Sequence, residues 1–169
     1  VQYDSLTKSL SRHHFMQSAS RAIQHAQKNQ RDTTLMMVDI DYFKKYNDHY
    51  GHLKGDQVLQ QLVLILNRTL PENAYVARYG GEEFALILHN VPIALLEPMM
   101  AQVLQAVRAE QIQHIARQDA KYYVTVSMGM AWMTGKQPYA SVLEFMKAAD
   151  QQLYLAKEAG RDQCRIAGH

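Results

Sequence analysis

Apolar residues recur along the chain in two rhythms that alternate from one segment to the next. Phe15, Ala19, Ala22, Ile23 and Ala26 fall three and four residues apart, which predicts a helix over 7–27. A short apolar run over 34–40 ends in acidic residues, the pattern of a buried strand whose far end reaches an active edge. Leu59, Leu62, Val63, Leu66 and Leu70 return to helical spacing and predict an amphipathic helix over 56–70, ended by Pro71. Two strand-like runs, 75–79 and 84–88, flank Gly80-Gly81, a hairpin signal that leaves Glu82 and Glu83 to either the turn or the strand. A helix over 93–113 with Pro92 near its start, a strand over 123–132, a helix over 139–159 and a closing strand over 164–166 complete the series. The order is a helix, then β-α-β-β-α-β, then a helix and a last strand. That order predicts an α/β (α+β) sandwich, a mostly antiparallel central sheet with flanking helices, related to the ferredoxin-like split unit.

A chain of 169 residues can bury one ordinary core, and no repeat or Pro/Gly-rich linker divides it, so residues 1–169 are expected to form one domain. With 47% apolar and 20% charged residues, disorder is excluded as the general state. A formal charge of +2 is too mild for a nucleic-acid groove or contact with an anionic membrane, and neither partner is expected. Cys164 is the single cysteine, so no internal disulfide can form, and a reducing cytoplasmic compartment fits. Apolar runs such as 62–66 are far too short to span a bilayer. The chain opens on Val1 rather than Met and shows no signal peptide. It reads as the C-terminal module of a longer protein whose sensor or membrane anchor lies elsewhere.

Two acidic clusters change the picture: Asp39-Ile40-Asp41 at the end of the first strand, and Glu82-Glu83 at the hairpin. If the hairpin pairs beside the first strand, both clusters reach one sheet edge. Magnesium is a hard cation that takes one or two carboxylates plus substrate phosphates, and two carboxylates beside a glycine turn meet that need. Glycines also let a phosphate approach the backbone, since no Cβ intrudes. Solvated strand-end acids and a plain hairpin would give the same pattern, so spacing alone leaves both readings open.

Five blocks in order decide between them. Arg78-Tyr79-Gly80-Gly81-Glu82-Glu83-Phe84 resembles the signature of the GGDEF family of diguanylate cyclases, in its GGEEF form. Asp39-Ile40-Asp41-Tyr42-Phe43-Lys44-Lys45-Tyr46-Asn47-Asp48, followed by Tyr50-Gly51-His52 and Gly55-Asp56, resembles a second family block. Asp4-Ser5-Leu6-Thr7 with Leu10 and Arg12 resembles the opening motif. Val126-Ser127-Met128-Gly129, and Ala148-Ala149-Asp150 through Tyr154, Ala156, Lys157 and Gly160-Arg161, are similar to the later ones.

The resemblance implies a palm-type fold like that of nucleotide cyclase catalytic domains, and an enzyme that condenses two GTP into cyclic di-GMP and two pyrophosphates. It implies that Asp39, the Ile40 carbonyl and Glu82 hold magnesium, with manganese as the alternative. Asp39 and Glu82 are then expected to be exposed ligands rather than core. Glu82 is also the implied base for the attacking 3′-hydroxyl, with Glu83 in a supporting catalytic or metal role. Asn47 and Asp56 would read the guanine edge, which suits their donor and acceptor groups. His52 would lie along the nucleotide, and Lys44, Lys157 and Arg161 would meet phosphates. Each has a plainer alternative. Asn47 and Asp56 could be caps, His52 a loop histidine, Lys44 a solvated neighbour of Asp41, and Lys157 and Arg161 ordinary cations at a helix C-terminus. Phe43 and Leu59 read as core.

Many family members carry Arg-x-x-Asp just before the signature as an inhibitory product site. Pro71 and Ala74 replace that Arg and Asp here, so no such site is expected. One nucleotide site per protomer and a product with two phosphodiester bonds imply a homodimer in the active state. Two other classes compete: a degenerate module that binds GTP or the dinucleotide without turnover, and an adenylyl-cyclase-like or polymerase-like enzyme. The intact signature argues against the first, and Asn47 with Asp56 favours guanine over the second.

Overall fold

The structure, a computed structural model, describes residues 2–134, 136 and 138–168. Its elements run α1 (Arg12–Asn29), β1 (Thr33–Ile40), α2 (Phe43–Tyr50), α3 (His52–Thr69), β2 (Tyr75–Arg78), β3 (Glu83–His89), α4 (Ile93–Ala109), β4 (Val126–Met133), α5 (Val142–Glu158) and β5 (Cys164–Gly168). The five strands form one sheet in the order β2-β3-β1-β4-β5. All neighbours are antiparallel except β4 and β5, which are parallel. This is the expected fold class, with the ferredoxin-like order 2-3-1-4 extended by one strand.

Every residue of β1 is buried, because it lies at the centre of a sheet covered on both faces. That is why residues 35–38 read as a continuous apolar run rather than an alternation. Met36, Val38 and Ile40 face a core built with α2, α3 and α4, whereas Leu35 and Met37 face a second core built with α1 and α5. Phe43 and Leu59 belong to the first core, as read from the sequence.

The expected helix over 7–27 begins only at Arg12. Ser11 caps it, accepting from the His14 amide at 3.3 Å. The residues before it add to the edge of β2 instead: the Leu10 amide donates to the Val76 carbonyl, and the Arg78 amide to the Leu10 carbonyl. The expected helix over 56–70 starts four residues earlier, at His52, so Gly55 and Asp56 lie inside its first turns. Gly51, at φ 90°, makes the break between α2 and α3, a conformation that suits a residue without Cβ. The helix expected to reach 113 stops at Ala109, where Gln111 turns left-handed at φ 49°.

Candidate active site

The sheet register brings the two acidic clusters together. Asp39, next to the end of β1, pairs across the ladder with Glu83 on one side and Ser127 on the other. Glu83 opens β3, while Glu82 stays in the preceding turn, which the Tyr79 and Gly80 amides close by donating to the Glu83 carbonyl at 2.8 and 3.1 Å. Asp39 is not the exposed ligand expected from the sequence: it is 5% exposed, because the sheet covers it on both sides. Glu82 is half-buried.

Lys157, in the last turn of α5, donates its Nζ to Asp39 Oδ2. Asp39 Oδ1 is buried and has no protein partner. A buried carboxylate oxygen left in this state is costly unless something else supplies the positive charge. Burial pushes the Asp39 carboxyl above its usual range, and Lys157 only partly opposes this. Burial also raises Glu82, with Asp39 adding repulsion. Glu83 is raised the same way, first by burial and then by Asp150 and Asp39. Among the described residues, no group of three or more His, Cys, Asp or Glu forms a ready-made metal cage. What exists is a set of hard oxygen donors with one buried oxygen unsatisfied, which fits a magnesium ion completed by phosphate and water.

The second acid of the first cluster has a different fate. Asp41 is 2% exposed and accepts from Ser127 Oγ at 2.6 Å, Thr125 Oγ1 at 2.7 Å and the Asp162 amide at 3.1 Å. Its lone pairs are spent on bracing β4 and the turn after α5. Alternation along a strand would put residues two apart on the same face, so what separates the two acids is the set of hydrogen bonds drawn to Asp41, and only Asp39 keeps a free oxygen.

The glycine turn is held from outside. Arg78 Nη2 donates to the Gly81 carbonyl at 2.9 Å, and Arg78 pairs with Asp4 at 3.4 Å. Asp4 in turn accepts from the Thr7 amide and hydroxyl. The opening Asp4–Thr7 motif is therefore a strut for the signature turn, a link that no local pattern in the sequence could disclose. A Cβ added at Gly81 would meet nothing, so packing within the protein does not explain that glycine.

A second wall stands on α2 and α3. A Cβ at Gly55 would fall 1.8 Å from Asn47 Oδ1, so the glycine lets the Asn47 side chain lie against α3. Asn47 Oδ1 is buried and unpartnered, and Asp56 is the residue after that glycine. Neither residue is the helix cap that the plainer reading suggested, since Asn47 and Asp56 sit inside α2 and α3. His52 is exposed at the start of α3. Lys44 pairs with Asp48 at 3.0 Å rather than with Asp41, in an exposed contact four residues along α2. Arg161, just past α5, donates to the Tyr42 hydroxyl at 3.2 Å. A groove of about 760 Å³ lies between α1 and the far ends of β1, β2 and β3, lined by His14, His25, His89 and Arg21. Seven residues of β1 place it roughly 20 Å from Asp39, outside the acidic edge.

The sheet thus carries an acidic edge, a glycine turn and a wall that holds Asn47 beside Gly55, on the palm-like fold of a nucleotide cyclase. The chain belongs to the family described as diguanylate cyclase, GGDEF domain, which matches residues 1–163. It is 29% identical over 97% of its length to the probable diguanylate cyclase DgcC of Escherichia coli (strain K12), covering 43% of that protein. It is 35% identical over 80% of its length to the diguanylate cyclase DgcP of Pseudomonas aeruginosa, covering 19% of that protein. The chain thus spans less than half the length of these relatives. Its fold matches the crystal structure of the GGDEF domain of DgcB from Caulobacter crescentus in complex with c-di-GMP, with a TM-score of 0.86 and 29% identity, covering 98% of this chain and 95% of that one.

Proposed function

We propose that residues 1–169 act as one diguanylate cyclase module that condenses two GTP into cyclic di-GMP and two pyrophosphates. The observation that carries this reading is the shared edge of Asp39, Glu82 and Glu83, with Asp39 Oδ1 buried and unsatisfied. Asp39, the Ile40 carbonyl and Glu82 would hold magnesium, or manganese in its place. When bound, that cation would offset the charge that gathers on the triphosphate.

The rest falls to the chain's own side chains. Asn47 Oδ1 and the Asp56 carboxylate accept from the donor edge of guanine, which an adenine edge cannot satisfy in the same way. Open space above Gly81 lets phosphates approach the turn, and Lys44, Lys157 and Arg161 take their charge, with His52 alongside the nucleotide. Glu82, its carboxyl already raised by burial, receives the proton of the 3′-hydroxyl. The new bond joins that oxygen to the α-phosphorus of the other GTP, and the bond to the β-phosphate oxygen breaks as pyrophosphate leaves. Glu83 supports this edge. A homodimer sets the two nucleotides face to face.

Incubation of the purified chain with GTP and magnesium, followed by chromatography, tests the reading. Cyclic di-GMP is the expected product, and ATP should give none. GTP that binds and is recovered intact would instead favour the binding module.

A further inference from the structure

Tyr42 directly follows the acidic cluster and turns the chain from β1 into α2, at a left-handed φ of 55°. An aromatic residue seldom adopts that conformation, and it persists where the surroundings enforce it. Here His114, itself fully buried, donates from Nε2 to the Tyr42 carbonyl at 3.0 Å. Two guanidinium groups lie over the ring, Arg161 at 4.3 Å from the centroid and Arg117 at 5.2 Å, both within cation–π reach.

The two arginines differ in freedom. The Arg117 side chain is 0% exposed and bonded to Asp119, the Tyr123 carbonyl and Thr125, so it is part of the scaffold. Arg161 is half-buried, and its guanidinium donates to the Tyr42 hydroxyl. Its backbone is fixed: Arg161 and Asp162 both turn left-handed, the Asp162 amide donates to Asp41, and Arg108 and Lys121 grip the Asp162 carboxylate. A chain held this firmly, ending in a cation laid on one aromatic ring, is a preordered arm.

We infer that Tyr42 is a positioning residue that holds the Arg161 guanidinium ready for a nucleotide phosphate, a step that rests on the phosphate role proposed for Arg161. A free arginine side chain loses much rotamer freedom on binding, and an aromatic rest removes part of that loss in advance.

Calorimetric titration with 3′-deoxyguanosine triphosphate and magnesium tests this without turnover, because that nucleotide lacks the attacking hydroxyl. Tyr42→Leu should bind about three- to tenfold more weakly than wild type. Tyr42→Phe, which keeps the ring, should recover most of that loss. In an Arg161→Ala background, Tyr42→Leu should cost nothing further, since the residue acts through the arginine. If Tyr42→Leu matches wild type, or weakens the Arg161→Ala protein by the same factor, the inference is overturned. Should the leucine variant not fold, Tyr42→Gln, which also removes the ring, gives the same comparison in the two backgrounds. A wild-type chain that fails to bind the nucleotide at all sinks the proposed function first, and this inference with it.

Discussion

At Asp39 burial and charge pull in opposite directions. The carboxyl is raised, so between the ordinary carboxylate range near pH 4 and its own higher value the folded state holds more protons than the unfolded one. Stability from this group therefore falls as pH rises through that window, and the ionised residue is a net burden above it. Asp39→Asn should be at least as stable as wild type at pH 8 without divalent cation, should lose that advantage near pH 4, and should make almost no product. Thermal melts at the two pH values read this directly. A variant that melts well below wild type at pH 8 would contradict it. Gly55 carries a second prediction at this scale. Alanine there gains roughly 0.5–1 kcal/mol of helix propensity, but its Cβ must push Asn47 Oδ1 aside. That Cβ also falls 2.9 Å from Asn47 Cγ and 3.3 Å from Phe43 Cζ, so crowding offsets the propensity gain, and Gly55→Ala is expected to stay folded while binding GTP at least several-fold more weakly. Equal affinity would show that Asn47 does not read the base.

Among the elements, α5 shows how a site is set by packing far from its chemistry. A Cβ at Gly129 on β4 would meet the Leu153 amide nitrogen at 2.1 Å and the Ala149 carbonyl oxygen at 2.3 Å. Only glycine lets α5 lie this close, and α5 delivers Lys157 to Asp39. Gly129→Ala meets backbone rather than a flexible side-chain end, so it should destabilise by about 3 kcal/mol or more. Gly81→Ala enters open space and should change stability by less than about 0.5 kcal/mol while impairing turnover. Denaturant midpoints separate the two, and a well-folded, fully active Gly129→Ala would refute the packing argument. The same contrast explains what the chain disclosed unaided. β1 was legible because its middle, residues 35–38, is an unbroken apolar run, and the cluster at its edge followed from its end. Helix α2 was not, since Phe43, Tyr46 and Tyr50 do fall at helical spacing but eight residues are too short a window for that rhythm to stand out. Nor was the segment 111–125, whose buried Arg117 and His114 fit no apolar rhythm. Asp39 and Asp41 looked equivalent in sequence because hydrogen bonds arriving from Thr125, Ser127 and Asp162 are long-range facts.

For the whole molecule, the number of sites sets the assembly. In the proposed reaction one edge of Asp39, Glu82 and Glu83 would serve one nucleotide, while each 3′-hydroxyl would have to reach the α-phosphate of the other GTP. Placing two bound reactants in that geometry supplies a large part of a rate enhancement, so a lone protomer should be nearly inert. The helix that opens the domain, α1, runs for 18 residues and buries Phe15, Ala19 and Ile23 in its own core, so it offers no free seam for a long coiled coil. Association must then rest on the nucleotide-bearing faces or on segments outside these residues, and a weak dimer is expected. Specific activity of the chain should climb with protein concentration and level off once dimers dominate. Joining a strong parallel coiled coil ahead of Val1 should lift activity at low concentration by raising the effective concentration of the second domain, with little change at saturation. A dilution series read by product formation, alongside light scattering, separates the cases. Specific activity that stays flat while scattering reports monomer throughout would mean that one protomer completes the reaction, and the face-to-face arrangement would have to be abandoned.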